Sequence, residues 1–252
     1  MLKFSEQNAK TRHLVAIPEL AKYLAGNRKI YSLDLLAGWT CPGARDCMAK
    51  VHINDSKRRL VDGPNTQFRC FAASLEVAYP NVYNVHNHNF QILKGFRTAE
   101  RIAELILDTL PKRVGIVRYH VAGDFFKLSY LKGAIIAANK RPDVLFYAYT
   151  KSIPFMLKIF MADPANGVLR HNFMVTASYG GKYDHLIPQS GMRTSKVVFA
   201  EPEAGSLPID HDDSHAATMG GDFALLLHGV QPAGTPASKA LVQLRGKGSY
   251  SR

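Results

Sequence analysis

The feature that most constrains the fold of this 252-residue chain is a regular alternation of helix and strand patterns between residues 98 and 178. Apolar residues recur at helical spacing from Thr98 to Pro111, and an apolar, β-branched run follows from Val114 to Val121. We predict that helix, strand, helix and strand then follow in turn at residues 128–138, 144–149, 153–161 and 173–178. Such alternation favours a parallel sheet with helical crossovers.

Three further apolar segments extend this pattern toward both ends of the chain. Ile30–Leu36 precedes it, and Val197–Ala200 and Phe223–His228 follow it. The total is about six strands, mainly parallel, which is fewer than a closed (β/α) barrel requires. We therefore predict an α/β fold with too few strands to close into the eight-stranded barrel; the incomplete (β/α) barrel itself is what the family resemblance described below implies.

The chain divides into three predicted regions. Residues 1–29 form an N-terminal helical segment, in which a helix at 17–26 has a proline near its first turn and a glycine at its end. Residues 30–242 form the α/β domain, and residues 243–252 form a basic C-terminal tail.

Two long segments carry no clear helix or strand pattern. Val51–Phe96 is the least patterned, and Glu203–Gly221 is predicted to be a long loop rich in Asp, His, Gly and Ser. The second segment contains acidic and histidine side chains of types that can ligate metals: Asp210, His211, Asp212, Asp213 and His215. Their spacing matches no known signature, so we favour a solvated acidic loop facing the basic protein.

The chain has a net charge of +12, and such a charge attracts polyanions. Basic residues gather at Lys57–Arg59 and near the C-terminus, at Lys239, Arg245, Lys247 and Arg252. A helix-turn-helix, a zinc finger and an aromatic RNA-binding motif are all absent from the sequence. We therefore expect weak, sequence-independent nucleic-acid binding, with simple solvation of the surface as the alternative.

The sequence gives no indication of a membrane partner. Each apolar stretch is shorter than the ~20 residues that cross a bilayer, and the first residues lack the apolar block of a secretory signal. We expect the protein in the cytoplasm, or in the host cytoplasm if a phage encodes it.

Cys41, Cys47 and Cys70 are the three cysteines of the chain, an odd and sparse set that argues against a disulfide framework. The segment WTCPGARDC places the first two in a Pro/Gly turn just beyond a predicted strand. Soft thiolates suit an iron-sulfur cluster or zinc, and the amides of such a loop can surround anionic sulfide. Two alternatives stay open: three unrelated buried cysteines, or a zinc site completed by His86, His88 or His120.

Three thiolates would leave one iron of a four-iron cluster without a protein sulfur. That iron can bind a small ligand, water or a histidine, and it is the iron most easily lost. We therefore expect a 4Fe-4S cluster that becomes a 3Fe-4S cluster on oxidation.

Polar residues follow three neighbouring strands of the predicted sheet. RYHVAGDFF ends one strand with Gly123 and Asp124, FYAYTKS ends the next with Thr150 and Ser152, and TASYGG ends the third with Ser178. Ligands gather at the carboxyl ends of parallel strands, so these residues are candidates for cofactor binding. The alternative is that they cap helices or form ordinary turns.

Five segments, in order, resemble the gene product 88 family of phages: TCPGARDCMAKV, FRCFAASLE, HVAGDFF, FYAYTKS and LLLHGVQPAG. The resemblance covers residues 30–242, and it identifies Cys41, Cys47 and Cys70 with the cysteine set of the family. That family is in turn distantly similar to radical-SAM proteins, which place three cysteines after the first barrel strand and a glycine-rich turn after the second.

The radical-SAM likeness implies a partial barrel with S-adenosylmethionine bound at the open iron. Gly123 and Asp124 would contact its methionine part, and Thr150 or Ser152 would touch its carboxylate or ribose. Two features depart from that pattern: 22 residues separate Cys47 from Cys70, and the glycine-aspartate turn is not followed by proline. The function is then either a radical-SAM-like enzyme or a cluster-containing module that binds nucleic acid or a host protein.

Overall fold

The computed structural model describes residues 1–6, 11–162, 171–218 and 220–244. The strands in these residues are β1 (Ser5–Glu6), β2 (Lys29–Leu33), β3 (Ala49–Asn54), β4 (Lys57–Asp62), β5 (Val114–Tyr119), β6 (Leu145–Thr150), β7 (Phe173–Ser178), β8 (Thr194–Val198) and β9 (Phe223–Leu226). A central sheet has the order β1-β2-β5-β6-β7-β8-β9, and β3 and β4 form a separate hairpin.

Helices occupy most of the connections between these strands. They are α1 (Ala21–Leu24), α2 (Phe71–Ala78), α3 (Pro80–Gly95), α4 (Ala99–Thr109), α5 (Leu128–Lys140), α6 (Ile153–Ala162), α7 (Ile187–Ser190), α8 (Ser214–Ala217) and α9 (Pro236–Leu244). Short 3-10 segments lie at Thr11–Ala16, Pro18–Leu20, Asp184–Leu186 and Glu201–Ala204. In the part of the chain that the structure describes, none of the helices has the length and apolar character needed to cross a membrane.

The central sheet confirms the predicted α/β class and its mainly parallel strands. Six strands of this sheet, β2 and β5 to β9, run in the same direction through five parallel pairings, and β1 pairs with β2 in the antiparallel sense. Each new strand is therefore added on the same side of the last one. The carboxyl ends of all six strands meet at one edge of the sheet, where ligands usually bind in such folds.

The sheet is buried on both faces, which explains the continuous apolar runs that predicted its strands. Val117 and Tyr119 of β5 belong to a large core shared with α4 and α5. Ile116 of the same strand faces a second core, which includes Leu14 and Leu20 of the N-terminal segment. The N-terminal segment thus covers the second face of the sheet.

The segment Val51–Phe96, which lacked a pattern in the sequence, is mostly regular: it contains most of β3 and all of β4, α2 and α3. Its periodicity is weak because α3 buries polar side chains. Asn89 of α3 is fully buried; its amide nitrogen donates to the carbonyls of Lys3 and Asp34, and its carbonyl accepts from the Lys3 amide. A hydrophobic pattern does not detect a helix whose buried positions are filled in this way.

Smaller differences concern the ends of the domain. The helix predicted at 17–26 is a 3-10 turn followed by the single turn of α1, and the strand predicted at 197–200 is Thr194–Val198. Of the predicted basic tail at 243–252, residues 243 and 244 end α9, and the remainder lies outside the described residues.

Candidate metal centre and the cavity beside it

The loop that carries Cys41 and Cys47 (residues 41–47) lies across the carboxyl ends of β6 and β7. The Asp46 amide donates a 2.9 Å hydrogen bond to the Gly180 carbonyl, just after β7. A Cβ on Gly43 would lie 2.1 Å from the carbonyl oxygen of Lys151, just after β6, so a side chain at position 43 would displace the loop. These contacts fix the cysteine loop over the strand ends.

Cys70 reaches the same place from a different part of the chain. It is the residue immediately before α2. The segment leading to it is tied to the cysteine loop, because the amides of Gln67 and Phe68 donate to the Asp46 carbonyl at 2.7 and 3.1 Å. The two parts of the cysteine set therefore meet beside the strand ends.

The three cysteines are free thiols, and each residue is partly accessible to solvent. Burial raises the pKa of Cys41 well above its ordinary value, and the charges of Asp124, Cys70 and Cys47 add to this effect. Burial also raises the pKa of Cys70 to about 12, with a further contribution from Cys47. Without a neighbouring cation, the thiols of Cys41 and Cys70 are therefore protonated at neutral pH.

Across the residues that the structure describes, no three His, Cys, Asp or Glu side chains are arranged to hold one metal ion. Each histidine considered for a zinc site has one ring nitrogen within hydrogen-bond distance of another group. The nearest partner atoms are Glu76 Oε1 at 2.8 Å from His86 Nδ1, the Met1 carbonyl at 2.9 Å from His88 Nε2, and the Tyr130 hydroxyl at 2.9 Å from His120 Nε2. The zinc alternative thus has no ligand set in the described residues.

Asp124 and Thr150, two of the predicted cofactor-binding residues, are buried and hydrogen-bonded to each other. The Thr150 hydroxyl donates to Asp124 Oδ1 at 2.7 Å, and the Lys151 amide donates to Oδ2 at 2.8 Å. Burial raises the pKa of Asp124, and these hydrogen bonds oppose the shift. Both carboxylate oxygens thus accept hydrogen bonds from the protein itself.

The other predicted residues extend this network. Gly123 has a φ of 95°, and a Cβ there would lie 2.6 Å from the Thr40 hydroxyl. Ser152 is buried; its amide donates to Thr150 Oγ1 at 3.0 Å and its hydroxyl to the Phe125 carbonyl at 2.8 Å. The structure thus brings Gly123, Thr150 and Ser152 together beneath the cysteine loop, and their contact with a cofactor stays a prediction.

A cavity of about 160 Å³ opens beside two of the cysteines. Of the eight predicted site residues, Cys47, Cys70 and Ser178 line it. Cationic and aromatic side chains supply much of the remaining wall: Arg69, Arg118, His120, Tyr149, Lys151 and His228. The Lys151 ammonium donates a 2.6 Å hydrogen bond to the Ser178 hydroxyl, so a cation and a neutral donor stand together at the cavity.

The favoured interpretation of the segment around Asp210 as a solvated loop is wrong for two of its residues. Asp210 is fully buried and Asp213 is 2% exposed. Arg118 of β5 donates from Nη1 to Asp213 Oδ2, and the hydroxyls of Tyr147 and Tyr149 lie 3.1 and 3.3 Å from the same carboxylate. An arginine in a buried strand needs a counter-ion, and this segment supplies it.

Sequence reasoning missed this pair, although one signal was present. Arg118 interrupts the otherwise apolar run VGIVRYHV, and a charge in a buried strand indicates a partner elsewhere in the chain. The sequence does not say which of its 20 acidic residues is that partner.

His120 is the most unusual polar residue at the cavity. It is 4% exposed and has a φ of 67°, in the left-handed region. Its Nδ1 is buried and, among the described residues, has no hydrogen-bond partner. Burial, and then the charge of Arg118, lowers the pKa of His120 to about 3, so the ring is neutral at physiological pH.

Comparisons with known proteins place these features in a wider context. The family described as Gene product 88 matches residues 2–244 of the chain. The "Gene 88 protein" of Mycobacterium phage L5 is 30% identical over 124 residues, a match that covers 45% of this chain and 44% of that protein. The aligned region thus spans less than half the length of that relative. No solved structure matches the chain.

Replacing His120 tests whether burial, aided by the charge of Arg118, keeps this ring neutral. The pKa of about 3 in the folded state lies below the roughly 6.5 of an unfolded histidine, so the folded protein gains stability above pH 6.5 and loses it as the pH falls toward 3. His120→Asn, which tolerates the left-handed backbone, should reduce this loss. Urea unfolding of the parent and the variant at pH 7 and pH 5 measures this difference. Equal losses in parent and variant would contradict the assignment.

Proposed function

This chain belongs to the gene product 88 family, and we propose that Cys41, Cys47 and Cys70 in it hold an iron-sulfur cluster. The observation that carries the proposal is the meeting of all three cysteines of the chain at one place, from positions up to 29 residues apart. Thiols that serve only as small core residues have no reason to gather at the strand ends, where ligands bind.

The electrostatics of the site also support a bound cation. Burial and mutual repulsion oppose the ionisation of Cys41 and Cys70. Iron neutralises thiolate charge, so metal binding and release of the thiol protons occur together. The raised pKa values belong to the metal-free thiols, and the binding of iron would lower the pKa values of these thiols strongly.

The proposed group is a cluster and not a single ion. A single ion draws all its ligands to one point, and no such three-ligand group occurs in the described residues. A cluster spreads its thiolates over separate irons, so the sulfurs lie farther apart while still sharing one site. We therefore propose a cluster, in which each thiolate binds a separate iron.

Three thiolates leave one iron of a 4Fe-4S cluster without a protein sulfur, and we propose that this iron binds S-adenosylmethionine. The cavity beside Cys47 and Cys70 supports this, because Lys151 and Ser178 offer a cation and a donor to a carboxylate. Six parallel strands added in sequence order also resemble the winding of a radical-SAM partial barrel. With S-adenosylmethionine bound at this iron, the reduced cluster would supply the electron that cleaves it.

His120 supports a second candidate, a closed cluster with a structural or electron-transfer role. Its ring lines the cavity, and its buried Nδ1 lacks a partner in the described residues. A neutral imidazole nitrogen is a competent iron ligand. If His120 closes the fourth iron, S-adenosylmethionine has no iron to bind, and the two candidates predict different spectra.

The cluster is tested by replacing each cysteine singly with serine. Anaerobically purified parent protein should be brown and contain iron and inorganic sulfide in equal amounts, and each variant should lose most of both because serine does not replace a thiolate. Met48→Leu is the matched control: it removes the neighbouring sulfur with little change in volume and should keep the cluster. Stoichiometric zinc without sulfide in the parent would count decisively against the proposal.

The cofactor is tested separately, with Lys151→Met. S-adenosylmethionine should change the electron paramagnetic resonance spectrum of the reduced parent, and the variant should need a roughly tenfold higher concentration for the same change, since it lacks one charge-assisted hydrogen bond. Its iron content should stay at the parental level. Lys158→Met is the control, because Lys158 is an exposed lysine of α6 that does not line the cavity. A parental spectrum that does not respond would exclude the open-iron role and favour the closed cluster.

A further inference from the structure

The β3–β4 hairpin stands outside the central sheet and presents one face to solvent. Its register pairs His52 with Arg59, and Asn54 with Lys57. Directly opposite residues of an antiparallel pair lie on the same face, and that face repeats every second residue. The outer face, as we call it, therefore consists of Lys50, His52, Asn54, Lys57, Arg59 and Val61.

The opposite face of the hairpin is packed against the protein. Ala49 and Val51 are buried, and Arg58 donates to the Val77 carbonyl of α2 at 3.2 Å. Asp62 also lies on this inner side and is paired with Arg69. Because the inner side is occupied, the outer face is the side that a partner can reach.

The outer face is strongly basic. Lys57 and Arg59 are exposed, Lys50 is partly exposed, and no acidic residue is among its six members. Asp55 is the acid of the adjacent turn, where it and Ser56 have φ values of 50° and 62°. Three positive charges lie close together on this narrow face, so they attract a polyanion to it more strongly than the net charge of the chain alone would.

Trp39, the only tryptophan of the chain, lies at the edge of this face. Trp39 is 43% exposed, and its Nε1 donates to the Val51 carbonyl at 2.9 Å. The ring centroid lies 5.0 Å from that of His52 and 4.7 Å from Lys50 Nζ. A large aromatic ring is thus held in a fixed position, partly open to solvent, among basic side chains.

We infer that the outer face and Trp39 bind single-stranded nucleic acid. Lysine and arginine side chains neutralise phosphates, and an exposed aromatic ring stacks on a base. An unpaired strand offers both groups at once, whereas the bases of a duplex are already stacked on one another. An acidic protein would satisfy the charges but would leave the ring of Trp39 without a specific role.

The experiment uses the full chain, a labelled oligothymidine and a duplex of the same length, at low salt. Fluorescence anisotropy should show tighter binding to the single strand, and the emission of Trp39 should fall as it binds. Lys57→Ala/Arg59→Ala should weaken binding by roughly tenfold and reduce its salt dependence by about one to two phosphate contacts. The control Lys132→Ala/Lys140→Ala removes the same charge from exposed positions of α5 and should change affinity much less.

Four results would overturn this inference. Equal weakening by the hairpin and α5 variants would show that only the overall charge matters. Binding that leaves the emission of Trp39 unchanged, or binding that is as tight to the duplex, would remove the role of the exposed ring. Failure to bind the oligonucleotide, together with binding of polyglutamate, would assign the face to an acidic protein. None of these outcomes depends on whether the cysteines hold a cluster.

Discussion

The buried carboxylate of Asp124 joins the parts of the molecule on which the candidate site depends. Its Oδ1 accepts from the Thr150 hydroxyl and its Oδ2 from the Lys151 amide, which ties the end of β5 to the end of β6. Its own amide donates to the Thr40 hydroxyl at 3.3 Å, one residue before Cys41. Asp124 therefore holds the end of β6 through its carboxylate and contacts the residue before the cysteine loop through its backbone amide. A buried carboxylate in such a place requires its full set of donors, and the chain provides them.

A cation with a neutral hydrogen-bond partner stands at the same edge of the sheet, beside a small cavity. Arg118 is neutralised by Asp213, whereas Lys151 donates to the uncharged Ser178 hydroxyl. The neutral ring of His120 adds a nitrogen without adding charge. A cluster with three thiolates is anionic, so cations at its margin stabilise it and any carboxylate that binds beside it. The distribution of charge thus agrees with the proposed group, and it leaves room for one further ligand.

Sequence reasoning predicted the elements whose pattern follows from burial. The run from Val114 to Val121 indicated β5 because a parallel strand buried on both faces is apolar throughout. The sequence did not predict α3, because its buried Asn89 is a polar residue held by hydrogen bonds. It also did not predict the ion pair of Asp213, whose partner Arg118 is 95 residues away. The meeting of Cys70 with the cysteine loop lies between these cases. The spacing of the cysteines did not decide whether Cys70 lies near the other two, whereas the family resemblance implied that it does. The tertiary structure brings the segment before Cys70 to the cysteine loop.

The central claim is that three cysteines and no fourth thiolate hold a four-iron cluster. Mössbauer spectroscopy of anaerobic, iron-57-enriched protein tests it most directly, because each iron site contributes its own signal. The account predicts four irons per chain, of which one differs from the other three in its ligands, and the selective loss of that iron on exposure to air. A spectrum of isolated high-spin iron, or one in which all the irons are equivalent, would contradict it.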